Sequence, residues 1–171
     1  MRLALASALL VLAAAATLAA PPPAATPPAA DIPWAESPRA HFYALRLRPG
    51  QDLLDELQHF ARARRLRAAF VAACSGSAVR TRVRYANQPE PTVREGHFEI
   101  VSLSGTLNGD GAHVHASFAD STGATFGGHL MPGTLVYTTA EIVIGELDAV
   151  AFTREPDPTY GYRELVPQRL R

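Results

Sequence analysis

The sequence predicts a single α+β domain built mainly from antiparallel strands, and three patterns lead to this prediction. Residues 43–47 alternate between larger apolar side chains and alanine or arginine, which is typical of a half-buried strand. Residues 52–65 repeat apolar side chains at helical spacing. The sequence Asn-Gly-Asp-Gly at 108–111 separates two further strand-like runs, as in a β-hairpin. Because 171 residues suffice for one core and not for two ordinary domains, these elements are expected to pack together.

The predicted helix at 52–65 has matching signals at both ends. Its apolar residues lie on one stripe, acidic residues occupy its first turn and arginines occupy its last turn. Because this order of charges complements the helix dipole, the pattern favours a helix packed on a sheet by one face.

The remaining strands are indicated by β-branched or alternating runs that lie between turn signals. A fully buried strand at 68–73 is followed by the turn signal Ser75-Gly76-Ser77. Residues 155–171 lack periodicity, so we expect them to form a C-terminal tail. Further strands are predicted at 79–84, 98–107, 113–119, 124–130 and 135–144. Several antiparallel strands with one early helix predict a sandwich-like arrangement.

The N-terminal residues predict export. Arg2 precedes an apolar run at 3–18, and small residues at 17–19 suit a signal peptidase. We therefore predict a signal peptide at 1–19, a Pro/Ala-rich linker at 20–38 and a folded domain at 39–154, in a periplasmic or secreted protein. Cleavage would leave no stable membrane span, whereas a retained anchor is the alternative interpretation.

Net charge and cysteine content limit the partners and the covalent cross-links that the chain can have. The formal net charge is +0, so overall electrostatics do not draw the protein to phosphate backbones or anionic membranes. Cys74 is the only cysteine, which excludes an intramolecular disulfide. The fold must therefore depend on its hydrophobic core.

Three histidines form the most informative pattern in the sequence. His113 and His115 are two residues apart on a predicted strand, so both side chains leave the same face about 7 Å apart. His129 follows Gly127 and Gly128, where the absent side chains allow neighbouring strands to approach closely. If the two strands pair, three imidazoles converge and leave an open fourth position, as in a zinc site that activates water.

Two other interpretations of these histidines and their neighbourhood stay open. The rings can instead hydrogen-bond to backbone or to a neighbouring subunit. Glu141, in the middle of the strand at 135–144, could orient a ligand or act as a catalytic base, and a buried hydrogen-bonding role is the alternative.

A second candidate surface carries three arginines. Arg80, Arg82 and Arg84 alternate with Val79, Thr81 and Val83, so three guanidinium groups share one strand face. This face could bind an anion or nucleic acid, but a solvated face or salt bridges between subunits are the favoured interpretation.

An ordered series of motifs resembles the plants and prokaryotes conserved (PPC) domain, which plant AT-hook nuclear-localised proteins share with stand-alone bacterial proteins. The series comprises Gly-His-Phe-Glu-Ile-Val-Ser-Leu-Ser-Gly at 96–105, His-Val-His-Ala at 113–116, Gly-Gly-His-Leu at 127–130 and Val-Tyr-Thr-Thr-Ala-Glu at 136–141. The resemblance implies an antiparallel sheet with flanking helices, assembled as a homotrimer, and it places the three histidines in a recurring motif.

The chain also departs from the plant members of that family. It has no Arg-Gly-Arg-Pro core of an AT-hook, and it carries His97 and Val101 where the plant partner-binding stretch has Arg and Leu. Plant-type transcriptional partnering is therefore not expected, and export makes nucleic acid an improbable partner.

These observations favour an exported, homotrimeric binding protein in which His113, His115 and His129 hold zinc or a small ligand. A DNA-binding protein without an AT-hook is the alternative, and a metal-dependent hydrolase is a second alternative. Binding is favoured over turnover, because the sequence contains no nucleophile elbow or phosphate-cradling loop and identifies no substrate.

Overall fold

The computed structural model describes residues 33–159 and 161–170. The predicted signal peptide at 1–19 and most of the predicted linker lie outside these residues. Within them, no helix is long and apolar enough to cross a membrane. One helix and eight strands follow in chain order: β1 (Ala40–Leu47), α1 (Leu53–Ala63), β2 (Ala69–Arg84), β3 (Thr92–Leu107), β4 (Ala112–Ala119), β5 (Thr125–Leu130), β6 (Leu135–Leu147), β7 (Val150–Pro156) and β8 (Arg163–Arg169).

Six of the strands form one antiparallel sheet in the order β1-β6-β2-β3-β4-β5, and β7 pairs with β8 in a separate hairpin. The larger sheet also closes on itself, because the end of β2 pairs with β5 through Val83–Leu130 and Arg84–His129. Strands β2, β3, β4 and β5 therefore form a ring in which every strand has a partner on each side. Within this ring no strand is an edge strand, whereas β1 pairs with β6 alone and stays at an edge of the sheet.

Helix α1 covers the core of this sheet. Leu53, Leu57 and Ala61 are fully buried and belong to the same apolar cluster as the inward side chains of the strands. The Asp52 carboxylate caps the helix by accepting hydrogen bonds from the backbone N–H groups of Leu54 and Asp55, each at 3.0 Å. The helix predicted at 52–65 is thus confirmed, with Asp52 as its N-cap.

The antiparallel, strand-rich fold predicted from the sequence is confirmed. The structure contains a single helix between residues 33 and 170 where the family resemblance implied several flanking helices. Most of the predicted strands are longer in the structure, because their ends continue beyond the apolar runs that identified them.

Two predictions about local structure are wrong. Ser75-Gly76-Ser77 is not a turn, because β2 continues through it and Gly76 pairs with Ala140 of β6. A Cβ at Gly76 would overlap the Thr139 carbonyl oxygen, so this glycine allows two backbones to approach closely. The predicted C-terminal tail is not irregular at residues 163–169 either, because β8 pairs with β7 along its length.

Candidate metal centre

Strand alternation places His113 and His115 on the outer face of β4. The side chains between and after them, Val114 and Ala116, are buried in the core, whereas both histidines are exposed. Because a strand turns successive side chains to opposite faces, burial of Val114 and Ala116 directs the two imidazoles outward together.

Strand β5 brings His129 to the same place. His129 lies directly opposite His115 in the β4–β5 register, and Gly128 and Gly127 oppose Ala116 and Ser117. A Cβ at Gly127 would lie 2.5 Å from the Ala116 carbonyl oxygen. The two glycines therefore permit the tight pairing of strands that sets His129 beside His115.

The three imidazoles converge, and we call them the three-histidine cluster. Their ring centroids lie 5.1 Å apart for His113–His115, 5.1 Å for His113–His129 and 5.5 Å for His115–His129. One ring nitrogen from each lies within 4.8 Å of those of the other two. Two of them, the Nε2 atoms of His113 and His115, are 3.3 Å apart.

The donor set and its spacing fit a zinc ion. Tetrahedral zinc with Zn–N distances of about 2.0–2.1 Å separates its nitrogen ligands by about 3.3 Å, which is the spacing of the His113 and His115 Nε2 atoms. Three protein nitrogens would leave the fourth position open to solvent or a ligand, and zinc bound in this way supplies Lewis acidity.

Burial and nearby positive charges favour the neutral form of His113 and His129, which is the form that binds a metal. Burial, together with the positive charges of His113 and Arg84, lowers the pKa of His129 from 6.5 to about 4. Burial also lowers the pKa of His113, as does the positive charge of Arg154. Because metal competes with protons for the same nitrogens, a lowered pKa removes that competition at neutral pH.

The structure does not bring Glu141 to the three-histidine cluster. Glu141 is exposed on β6, where it lies opposite Arg46 of β1 and Ser75 of β2. His129 lies opposite Arg84, at the other end of β2. Within one chain, the length of β2 therefore separates Glu141 from the three-histidine cluster.

The three arginines of β2 lie on one face, as their alternation with buried Thr81 and Val83 predicts. Their surroundings differ, however. Arg80 forms a salt bridge with Glu95 at 3.2 Å, and Arg82 donates to the Pro132 carbonyl oxygen at 2.9 Å. A groove lies beside the three-histidine cluster and is lined in part by His113 and His129. Of the three arginines, Arg84 alone lines this groove.

Sequence analysis missed two residues of this groove, Arg154 and Arg163. They lie on β7 and β8, in the segment for which no periodic pattern indicated a structure. The alternation of Val150 and Phe152, both buried, was the available signal for β7.

The chain is thus an antiparallel β domain that carries a cluster of three histidines on two paired strands. The sequence model of the Plants and Prokaryotes Conserved domain, abbreviated PCC or PPC, matches residues 35–148. The chain belongs to this family.

Several relatives cover the same region. The chain is 50% identical over 123 residues to the bifunctional protein GlmU of Synechococcus sp. strain JA-3-3Ab, and this stretch is 72% of the chain. The chain spans about a fifth of the length of the curated relatives it matches.

Solved structures with the same fold include two that resemble the chain along most of their length. One, a hypothetical protein from Salmonella enterica, is 46% identical with a TM-score of 0.77, covering 79% of this chain and 97% of that one. Another, a metal-containing protein from Archaeoglobus fulgidus, is 25% identical with a TM-score of 0.64, covering 80% and 99%. A candidate DNA-binding protein from Ralstonia eutropha, 24% identical with a TM-score of 0.62, covers 72% of this chain and 89% of that one and shares the fold alone.

Proposed function

We propose that this protein is an exported, homotrimeric binding protein whose three-histidine cluster holds a zinc ion. The observation that carries the proposal is the convergence of one nitrogen each from His113, His115 and His129 within 4.8 Å. Three imidazoles without a carboxylate or thiolate suit zinc among the common metals. The relative from Archaeoglobus fulgidus, described as metal-containing, adds support at the level of the family.

A hydrogen bond is the competing explanation of the same geometry. Without metal, the His113 and His115 rings can share a proton between their Nε2 atoms at 3.3 Å. That bond explains two rings but gives the third, His129, no hydrogen-bonding role in the cluster. A metal ion uses all three.

Metal analysis of the purified mature protein tests the proposal. The wild type is expected to bind about one zinc ion per chain, and His115→Ala is expected to lose it. His59→Ala is the matched control, because His59 is an exposed histidine on α1. Equal, negligible zinc in the wild type and in His115→Ala would refute the metal site.

Trimer formation is proposed from the family resemblance, and the outer face of β3 supports it. Val93 and Val101 are 43% and 56% exposed, although valine is an apolar side chain that interfaces bury. Tyr137 of β6 is also exposed, and its ring stacks on that of His97 with the ring centroids 4.2 Å apart. Sedimentation equilibrium of the wild type should give three times the chain mass, and Val101→Lys should lower the measured mass to that of one chain. A monomeric wild type would refute the trimer.

Export is proposed from the apolar run at 3–18 and the small residues that follow it. N-terminal sequencing of the protein recovered from outside the cytoplasm should begin near Ala20. An intact N-terminus in the cytoplasmic fraction would refute export.

DNA binding is the second candidate function, and the shared face of Arg80, Arg82 and Arg84 is the feature that favours it. Two of these arginines already interact with Glu95 or with the Pro132 carbonyl oxygen, which weakens the case. A gel shift titrated with salt tests it, and no shift at low salt would dispose of it.

A metal-dependent hydrolase would use the same histidines, and a substrate screen of the zinc-loaded protein would reveal turnover.

A further inference from the structure

A groove of about 940 Å³ opens beside the three-histidine cluster. Its lining includes His113 and His129 together with three arginines, Arg84, Arg154 and Arg163. The volume lies within the range of sites that bind small molecules. The groove therefore joins the candidate metal centre to a concentration of guanidinium groups.

Three different strands carry these arginines to the histidines. Arg84 of β2 is the register partner of His129. Nη2 of Arg154 lies 3.5 Å from Oγ1 of Thr106, and Thr106 is the register partner of His113. Arg163 of β8 donates a hydrogen bond to the Arg154 carbonyl oxygen, which fixes it beside the second arginine.

The positive charge of the groove is not balanced by the residues around it. Glu164 is the one carboxylate among the described residues that line the groove. Across the described chain, salt bridges involve His41 with Asp148 and Arg80 with Glu95, so none engages the three groove arginines. A divalent metal on neutral imidazoles would add two more positive charges at close range, where such charges repel.

We propose that the groove binds a small-molecule oxyanion, a phosphate or carboxylate group held by Arg84, Arg154 and Arg163 next to the three-histidine cluster. The inference rests on the proposed function, since the metal supplies part of the positive charge that the anion balances. The planar fork of N–H groups on a guanidinium can bind two oxygens of either a carboxylate or a phosphate through paired hydrogen bonds. Tyr162, which lines the same groove and is 69% exposed, offers an aromatic face to the rest of the ligand.

Isothermal titration of the zinc-loaded full chain tests this inference, with phenyl phosphate and benzoate as probes and benzyl alcohol as the neutral analogue. Both anions should bind and the alcohol should not. Arg84→Gln and Arg154→Gln should each weaken binding about tenfold, because each removes a charged donor. Arg163→Gln on the exposed β8 is a second variant if the others fold poorly. Arg46→Gln is the matched control, since Arg46 hydrogen-bonds to Thr139 and does not line the groove.

The same samples separate failure of this inference from failure of the metal site. Cobalt-loaded protein should show a change in its visible spectrum when phenyl phosphate is added, because the anion enters beside the metal. Normal metal uptake without anion binding, or binding that both arginine variants leave unchanged, overturns the oxyanion groove and leaves the metal site intact. Absence of metal uptake, with binding to the metal-free chain that still depends on Arg84 and Arg154, overturns the metal site and supports the groove.

Discussion

Replacing Gly127 by alanine tests whether the close approach of β5 to β4 builds the three-histidine cluster. The new Cβ would lie 2.5 Å from the Ala116 carbonyl oxygen and 2.9 Å from the Ser117 Cα atom. Ordinary contact begins near 3.4 Å, so the two backbones must separate by about 0.9 Å. Since neither neighbour is a flexible side-chain end, the strain falls on the pairing of the strands.

Both stability and metal binding should respond to this separation. Overpacking of this kind lowers the free energy of unfolding by about 1–3 kcal/mol. Because Gly127 pairs only two positions from the His115–His129 pair, the shift also carries His129 away from its partners. Displacing groups that orient metal ligands typically costs ~10–100-fold in metal affinity, and we expect a loss in that range for zinc.

Competition with a chromophoric chelator measures the zinc affinity, and urea denaturation of the metal-free protein measures stability. Gly111→Ala is the matched control, because a Cβ at Gly111 meets no heavy atom within 4 Å. It should change neither quantity appreciably. A folded Gly127→Ala protein with wild-type zinc affinity would refute the idea that the glycine positions His129.

Three further predictions concern the metal-free protein. The free energy of unfolding should fall by about 1–2 kcal/mol, after allowance for solvent screening, as pH falls from 6.5 to 4. The reason is that the pKa of His129 is lowered in the folded chain, so the unfolded chain binds more protons in that pH range. Asp52→Ala should lower the free energy of unfolding, measured by urea denaturation, by about 1–3 kcal/mol. The Asp52 carboxylate accepts hydrogen bonds from the backbone N–H groups of Leu54, Asp55 and Gly133, and the variant loses all three. The Cys74 thiol should react slowly with a thiol reagent at pH 8, since burial raises its pKa to about 11.

Each of these has a defined control. His129→Gln should flatten the pH dependence, and an unchanged slope would show that other groups cause it. Asp55→Ala removes an exposed acid from the same helix and should cost less than Asp52→Ala; equal losses would argue against capping. Unfolding the chain in urea should restore rapid reaction of Cys74, so a fast reaction in the native protein would contradict its burial.

Sequence periodicity predicts which side chains share a face but not which strands meet. The spacing of His113 and His115 fixed their common direction, because a strand has a period of two. The position of His129 depended on the register of β4 with β5, which the turn between them and the contact of Gly127 with Ser117 determine. The hydrophobic pattern excludes a shift of one residue, which would turn apolar side chains outward, but a shift of two residues keeps every side chain on its face and the pattern does not exclude it.

The two wrong predictions have different physical causes. Ser-Gly-Ser is a frequent turn sequence, but at Gly76 the glycine serves the approach of two long strands. The β8 strand is short, contains Pro167 and four charged or amide side chains, and pairs on one side with β7 alone. A strand without an apolar face of its own shows no alternation, so the sequence pattern of β8 did not reveal Arg163 either.

The seam between β2 and β5 closes the ring through Val83–Leu130 and Arg84–His129, the shortest pairing in the sheet. It is therefore the place where the ring opens first, and amide hydrogen exchange should be fastest there. An ion shared by His115 and His129 would hold β5 on β4 beside this seam, so any opening that displaced His129 would have to break the ion's ligand set, and the binding energy of the ion would oppose it. A bound ion would then protect the ring of β2, β3, β4 and β5 against local unfolding and proteolysis.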